Sequence, residues 1–105
     1  MDPNAPALLK SFVGRVKQRF PKSRVYLFGS RARQDFHKDS DYDLLIISPE
    51  FQKIPFIKRL VEIYLLQEEP LPIEVVCLSP QEYEERSSGL TMLHEVKGQA
   101  LELEA

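Results

Sequence analysis

The sequence has no apolar run approaching the ~18 residues that a membrane-spanning helix needs. Its first ten residues, MDPNAPALLK, show neither the basic start nor the apolar stretch of a signal peptide. It holds one cysteine, Cys77, which excludes an internal disulfide. Set in the apolar run IEVVCL, that thiol reads as a small buried hydrophobe. Internal repeats, low-complexity tracts and linker-like stretches are also missing. A net charge of −2 disfavours a general nucleic-acid binder. With membrane, secreted and multi-domain classes set aside, the expectation is a cytoplasmic protein of one domain, residues 1–105. A 43% hydrophobic content suffices for a single core at this length, without much surplus.

The small net charge conceals an asymmetry. Residues 1–38 sum to +7 and residues 39–105 to −9. A basic half of this kind suits phosphates or an acidic partner, and equally suits basic and acidic elements that face each other or water.

The apolar spacing Leu8, Leu9, Phe12, Val13, Val16, Phe20 predicts an amphipathic helix over residues 7–20. Pro6 fits its first turn, Asn4 or the next residue its cap, and Pro21 its end. Arg24–Phe28 reads as a strand broken by Gly29-Ser30, with a loop or short helical turn through Arg33. Tyr42–Ile47 reads as a second strand; Leu44-Leu45-Ile46-Ile47 is apolar on both faces, which predicts a central position. Pro55 opens a helix over residues 56–67 with more apolar residues than one face requires. That excess implies deep burial or contact with another chain. Ile73–Leu78 reads as a third strand, and Ser79 as the cap of a polar helix, QEYEER. A weak helix over residues 90–97 and a short edge strand in ALELEA complete the chain. The expected class is α/β or α+β, a small mixed sheet flanked by helices.

The polar segment between the first two strands carries the chemistry. Alternate residues of a strand share a face, so Asp41 and Asp43 place two carboxylates side by side. Like charges at that range repel. A hard divalent cation such as Mg²⁺, which prefers carboxylate and phosphate oxygens, relieves the repulsion. An exposed turn, Lys38-Asp39-Ser40-Asp41, accounts for an isolated Asp-x-Asp equally well. Gly29 permits close backbone approach to a ligand, and Ser30 adds a hydroxyl donor. Arg31 and Arg33 supply cations suited to phosphate geometry. Together the two features describe a phosphate cradle beside a metal site. A third carboxylate is then expected on a neighbouring strand, and Glu74, a charged residue in the apolar run PIEVVCL, fits; its other reading is a strand-start residue that faces solvent.

At this point the chain resembles a known family. Gly29-Ser30-Arg31-Ala32-Arg33 followed by Ser40-Asp41-Tyr42-Asp43-Leu44 is similar to the signature of the minimal nucleotidyltransferases of the DNA polymerase β superfamily, Gly-Ser-x-Ala-Arg-Gly, a gap, then Ser-Asp-x-Asp-Leu. The resemblance in element order and length extends over nearly the whole chain. Two positions depart from the pattern: Gln34 stands where Gly is usual, and Glu74 where the third acid is usually Asp.

The resemblance implies a polymerase β-like core that moves a nucleoside monophosphate, AMP from ATP, to a hydroxyl. Two Mg²⁺ ions would be held by Asp41, Asp43 and Glu74. Gly29, Ser30, Arg33 and Ser40 would hold the nucleotide, and Glu74 would take a proton. The chain offers little beyond such a core, so the acceptor surface is expected from another chain. For the minimal members that chain is often a small helical HEPN toxin, modified on tyrosine in a hetero-oligomer by a type VII-like antitoxin. The alternative is a catalytically weak subunit that neutralises or supports a HEPN partner by binding alone; a further one is transfer to a small molecule or RNA end. The Arg31–His37 spacing, which loosely matches the Arg-His spacing of HEPN ribonucleases, reads as chance, and His94 as a surface residue.

Overall fold

The computed structural model describes residues 5–28, 42–68, 72–89 and 101–104. The elements are α1 (Ala5–Arg19), β1 (Arg24–Phe28), β2 (Tyr42–Ile47), a 3-10 turn (Pro49–Lys53), α2 (Phe56–Tyr64), β3 (Ile73–Leu78), α3 (Pro80–Gly89) and β4 (Leu101–Leu103). The strands form one mixed sheet in the order β3-β2-β1-β4. β1 is antiparallel to β2 and β4, whereas β2 and β3 are parallel. Asn4 and the segment expected as a final helix, 90–97, lie outside the described residues.

The period-2 pattern of the strands sorts the sheet into two faces. Tyr42, Leu44 and Ile46 of β2 lie level with Val25 and Leu27 of β1 and with Ile73 and Cys77 of β3, and all belong to one buried cluster. Leu9, Phe12, Val13, Val16 and Phe20 of the first helical segment close over this face. Ile63 of α2 and Phe51 of the 3-10 turn join them, with the Phe20 and Phe51 rings edge-to-face at 5.0 Å. Leu45 and Leu78 are buried on the opposite face. β2 is therefore an inner strand covered on both sides, as its unbroken apolar run requires.

The parallel pair demands a crossover, and residues 48–72 provide it. Ser48 caps the 3-10 turn, its Oγ accepting from the Glu50 amide at 3.1 Å. α2 then ends at Tyr64, three residues earlier than the sequence pattern predicts. The last turn tightens as the Leu66 amide bonds back to Ile63 at 3.1 Å and that of Gln67 to Tyr64. The Arg15 side chain takes the Leu66 carbonyl, and Arg19 binds Glu62 at 2.7 Å, so α1 fastens the end of the helix.

The excess apolar residues of α2 are not buried. Ile57 is 70% exposed, Leu65 77% and Val61 51%, whereas Arg59 is 4% exposed. Arg59 is the inward charge of this helix. Its guanidinium donates to the Ile54 carbonyl at 2.8 Å, the Cys77 carbonyl at 3.1 Å and Glu82 at 2.6 Å. The Phe51 and Phe56 rings stand within 6 Å of it. Ser79 caps α3 as expected, and Glu82 completes the reciprocal box by accepting from the Ser79 amide at 2.7 Å. One residue thus joins α2, the end of β3 and the start of α3.

Removing Arg59 leaves Glu82 without its cation and takes a donor from two carbonyls, so Arg59→Ala should destabilise the fold by about 3 kcal/mol in urea unfolding. Arg59 and the Ser79 cap hold the Glu82 carboxyl down at about 2, below its ordinary 4.5. A depressed carboxylate contributes stability above the unfolded value and loses it as pH falls through the folded one. Stability should therefore decline between about pH 4.5 and pH 2. In Glu82→Gln that part of the decline should be missing, as pH-resolved melting curves would reveal.

Candidate nucleotide site

The candidate site lies at one end of the two inner strands and β3. β1 finishes at Phe28, whose Cα partner on β2 is Asp43. On its other side Asp43 is paired with Glu74 of β3. Three neighbouring strands thus bring to one level the residue that precedes Gly29-Ser30, the second aspartate of the Asp-x-Asp pair and the acid singled out on the third strand. Register partners in a sheet stand about 4.8 Å apart and point to the same face. That face is the one opposite Tyr42, Leu44 and Ile46, so neither carboxylate enters the main core.

The local sequence explains the placement. The Tyr42 amide donates to the Pro72 carbonyl at 2.7 Å, which starts the parallel ladder one pair before Asp43 and Glu74. Tyr42 and Ile73 are buried on the core face, so the next residue of each strand must point away from it. The Tyr64 hydroxyl donates to the Ile73 carbonyl at 3.3 Å and ties the end of α2 to this level of the sheet. Glu74 is exposed and Asp43 half-buried. Glu74 thus faces solvent, as the reading of a residue at the start of its strand allows. β3 is an edge strand, so its outer side and this acid open to solvent.

Gly29, Ser30, Arg31, Arg33, Ser40 and Asp41 lie outside the described residues, as do Gln34, His37 and His94. Phe28 and Tyr42, the described residues on either side of segment 29–41, stand at the end of the sheet where Asp43 pairs with Glu74. Among the described residues no three acids, histidines or cysteines cluster as a metal-ligand set; the expected trio includes Asp41. Two same-face acids on adjacent strands nevertheless suit a hard cation. They are oxygen donors, and side by side they repel unless positive charge lies between them.

Other titratable groups contribute elsewhere. Burial pushes the Cys77 thiol up to about 12, with Arg59 opposing, so it is an inert core residue, as its apolar setting predicts. Tyr83 of α3 is raised by burial and by Tyr26 of β1. The residue that sequence reasoning missed is Arg59. Its signal was available: a charge four residues before Ile63, on the helix face that Ile63 turns inward. Among the described residues no helix is long and apolar enough to cross a membrane.

Comparison with known proteins extends the geometry. No curated protein matches the chain in sequence. A structure from Sulfolobus solfataricus, of a protein assigned as a nucleotidyltransferase, superposes with a TM-score of 0.68 at 22% identity, over 94% of this chain and 78% of that one. A second structure of a protein so assigned gives 0.53 at 23% identity, over 73% of this chain and 84% of the other. At such identities the likeness is one of fold, and it confirms the small mixed sheet with flanking helices. The family model of the nucleotidyltransferase domain matches residues 9–102, which include the Gly-Ser turn, the Asp-x-Asp pair and Glu74. The chain belongs to the nucleotidyltransferase domain family.

Proposed function

We propose that the chain transfers AMP from ATP to a hydroxyl of a partner protein, a tyrosine of a small helical HEPN toxin, and so acts as its antitoxin. The observation that carries the reading is the three-strand level of Phe28, Asp43 and Glu74.

In this reading Gly29 and Ser30 bind the β- and γ-phosphates, backbone amides and the hydroxyl serving as donors. Arg33 supports the turn or the phosphates, and Ser40 belongs to the nucleotide-binding set. Asp41, Asp43 and Glu74 would hold two Mg²⁺ ions, which when bound neutralise phosphate charge and lower the pKa of an attacking hydroxyl. Glu74 accepts the proton that the acceptor hydroxyl loses. The hydroxyl oxygen forms a bond to the α-phosphorus as the bridging bond to the β-phosphate breaks, and pyrophosphate leaves. Alignment of donor and acceptor provides much of the rate. The exposure of Glu74 on an edge strand supports a protein acceptor, since a macromolecule can reach that acid without passing through the fold.

Two measurements test this. With ATP labelled at the α-phosphate, label should appear on the purified HEPN partner. It should fall by about 100-fold or more with Asp43→Ala, the loss expected when charge stabilisation is removed. No label with an intact complex would instead assign neutralisation by binding alone. Separately, millimolar Mg²⁺ should raise the melting temperature of the wild-type protein by a few degrees, as a ligand specific to the native state does, by about 4–8 °C per kcal/mol. The Asp43→Asn/Glu74→Gln variant should show no such rise.

A further inference from the structure

α2 carries a second apolar stripe, directed away from the core. Ile57, Val61 and Leu65 follow one another at four-residue steps and Tyr64 sits beside them; all four are exposed. That is the spacing of a helix face built to pack on another helix. Its inner face already meets the sheet and α1 through Ile63 and Arg59. A free helix face with this many large apolar side chains is unusual on a small domain and marks an interaction surface.

The surroundings of the stripe specify its occupant. Beside Val61 opens a groove of about 340 Å³, with Ile54 and Pro55 on its wall and Arg19, Lys53 and Lys58 around it. Arg19 is engaged by Glu62, whereas Lys53 and Lys58 have no ion-pair partner among the described residues. The first turn of α2 holds no acid, so Lys58 adds positive charge where the helix dipole is already positive. An acidic group from outside offsets both. At its other end the stripe reaches the edge strand β3, where the Tyr64 hydroxyl donates to the carbonyl of Ile73; Glu74, the next residue, points to the other face, so a protein seated on the stripe reaches it around that edge.

Size separates two possible occupants. A nine-residue helix is about 14 Å long and presents a strip about 10 Å wide, far short of the roughly 800 Å² per partner of a stable interface. A second copy packed on α2 alone would not reach that area. A partner that also extends onto the open β3 end of the sheet would.

Building on the transferase reading above, we infer that the α2 stripe is the docking surface for the acceptor protein. It receives an amphipathic helix of that protein, with acids beside its apolar stripe, and so delivers the acceptor hydroxyl to the Asp43–Glu74 end of the sheet. The acids meet Lys53 and Lys58, and the apolar stripe meets Ile57, Val61 and Leu65.

The test uses the full chain and the purified HEPN partner of the proposed reaction, with affinity measured by calorimetry. Ile57→Glu/Leu65→Glu should weaken the complex by about tenfold or more while leaving the melting temperature of the free chain unchanged. Lys53→Glu/Lys58→Glu should weaken it as well, by less at high salt than at low salt. Unchanged affinity in the stripe variant overturns the inference. So does a wild-type chain that sediments as a dimer and becomes a monomer on Ile57→Glu/Leu65→Glu, which would give the stripe to a second copy. The two readings fail separately. Loss of binding in the stripe variant with no label transfer by the wild type keeps the docking surface and removes the transferase; label transfer that survives the stripe variant does the reverse.

Discussion

The register of β2 between β1 and β3 is the constraint on which the rest of the structure depends. β2 is the strand whose two faces do different work along its length. Its even-numbered residues Tyr42, Leu44 and Ile46 fill the core, and Asp43 stands among its odd-numbered ones. A slip of one residue would turn Asp43 into the core and Leu44 out of it, an exchange that burial energies forbid. The same pairing fixes Phe28 on one side and Glu74 on the other. The hydrophobic pattern of one strand therefore sets the relative position of three segments that are far apart in sequence.

A parallel partner for β2 obliges the chain to cross over, and the crossover has its own fastening. Arg59 binds the carbonyls of Ile54 and Cys77 and the carboxylate of Glu82, so the start of α2, the end of β3 and the cap of α3 form one hydrogen-bonded unit. A buried guanidinium is costly to desolvate and holds its place because each of these acceptors is met. At the opposite end, Arg15 and Arg19 bind α2 to α1. With both ends tied and Ile63 in the core, α2 has no rotational freedom to hide Ile57, Val61 and Leu65. The exposed stripe is thus a consequence of the polar contacts on the inner face rather than of a shortage of core.

In the reading proposed above, nucleotidyl transfer rests on charge assembled at one end of the sheet. Asp43 stands on the inner strand β2 and Glu74 on the edge strand β3, at the same end of the sheet. The apolar outer face of α2 is the largest exposed apolar surface among the described residues.

Local pattern alone determined the strands. Arg24–Phe28, Tyr42–Ile47 and Ile73–Leu78 are bounded in the structure where β-branched runs meet Gly, Ser and Pro in the sequence, and Ser79 caps its helix as its position predicts. The inner position of β2 followed from its doubly apolar run, and the inert role of Cys77 from its neighbours. The Gly-Ser and Asp-x-Asp motifs made the family legible because they are specific as a pair, although Gly29, Ser30 and Asp41 lie outside the described residues. Only the tertiary structure decided that Glu74 is the direct neighbour of Asp43, since the register of a parallel pair joins residues thirty-one apart and depends on the intervening crossover. It alone decided which apolar residues of α2 face water, because two stripes on one helix are equivalent until Arg59 finds acceptors on one side. Periodicity tells which residues share a face; partners from distant parts of the chain decide which face is turned inward.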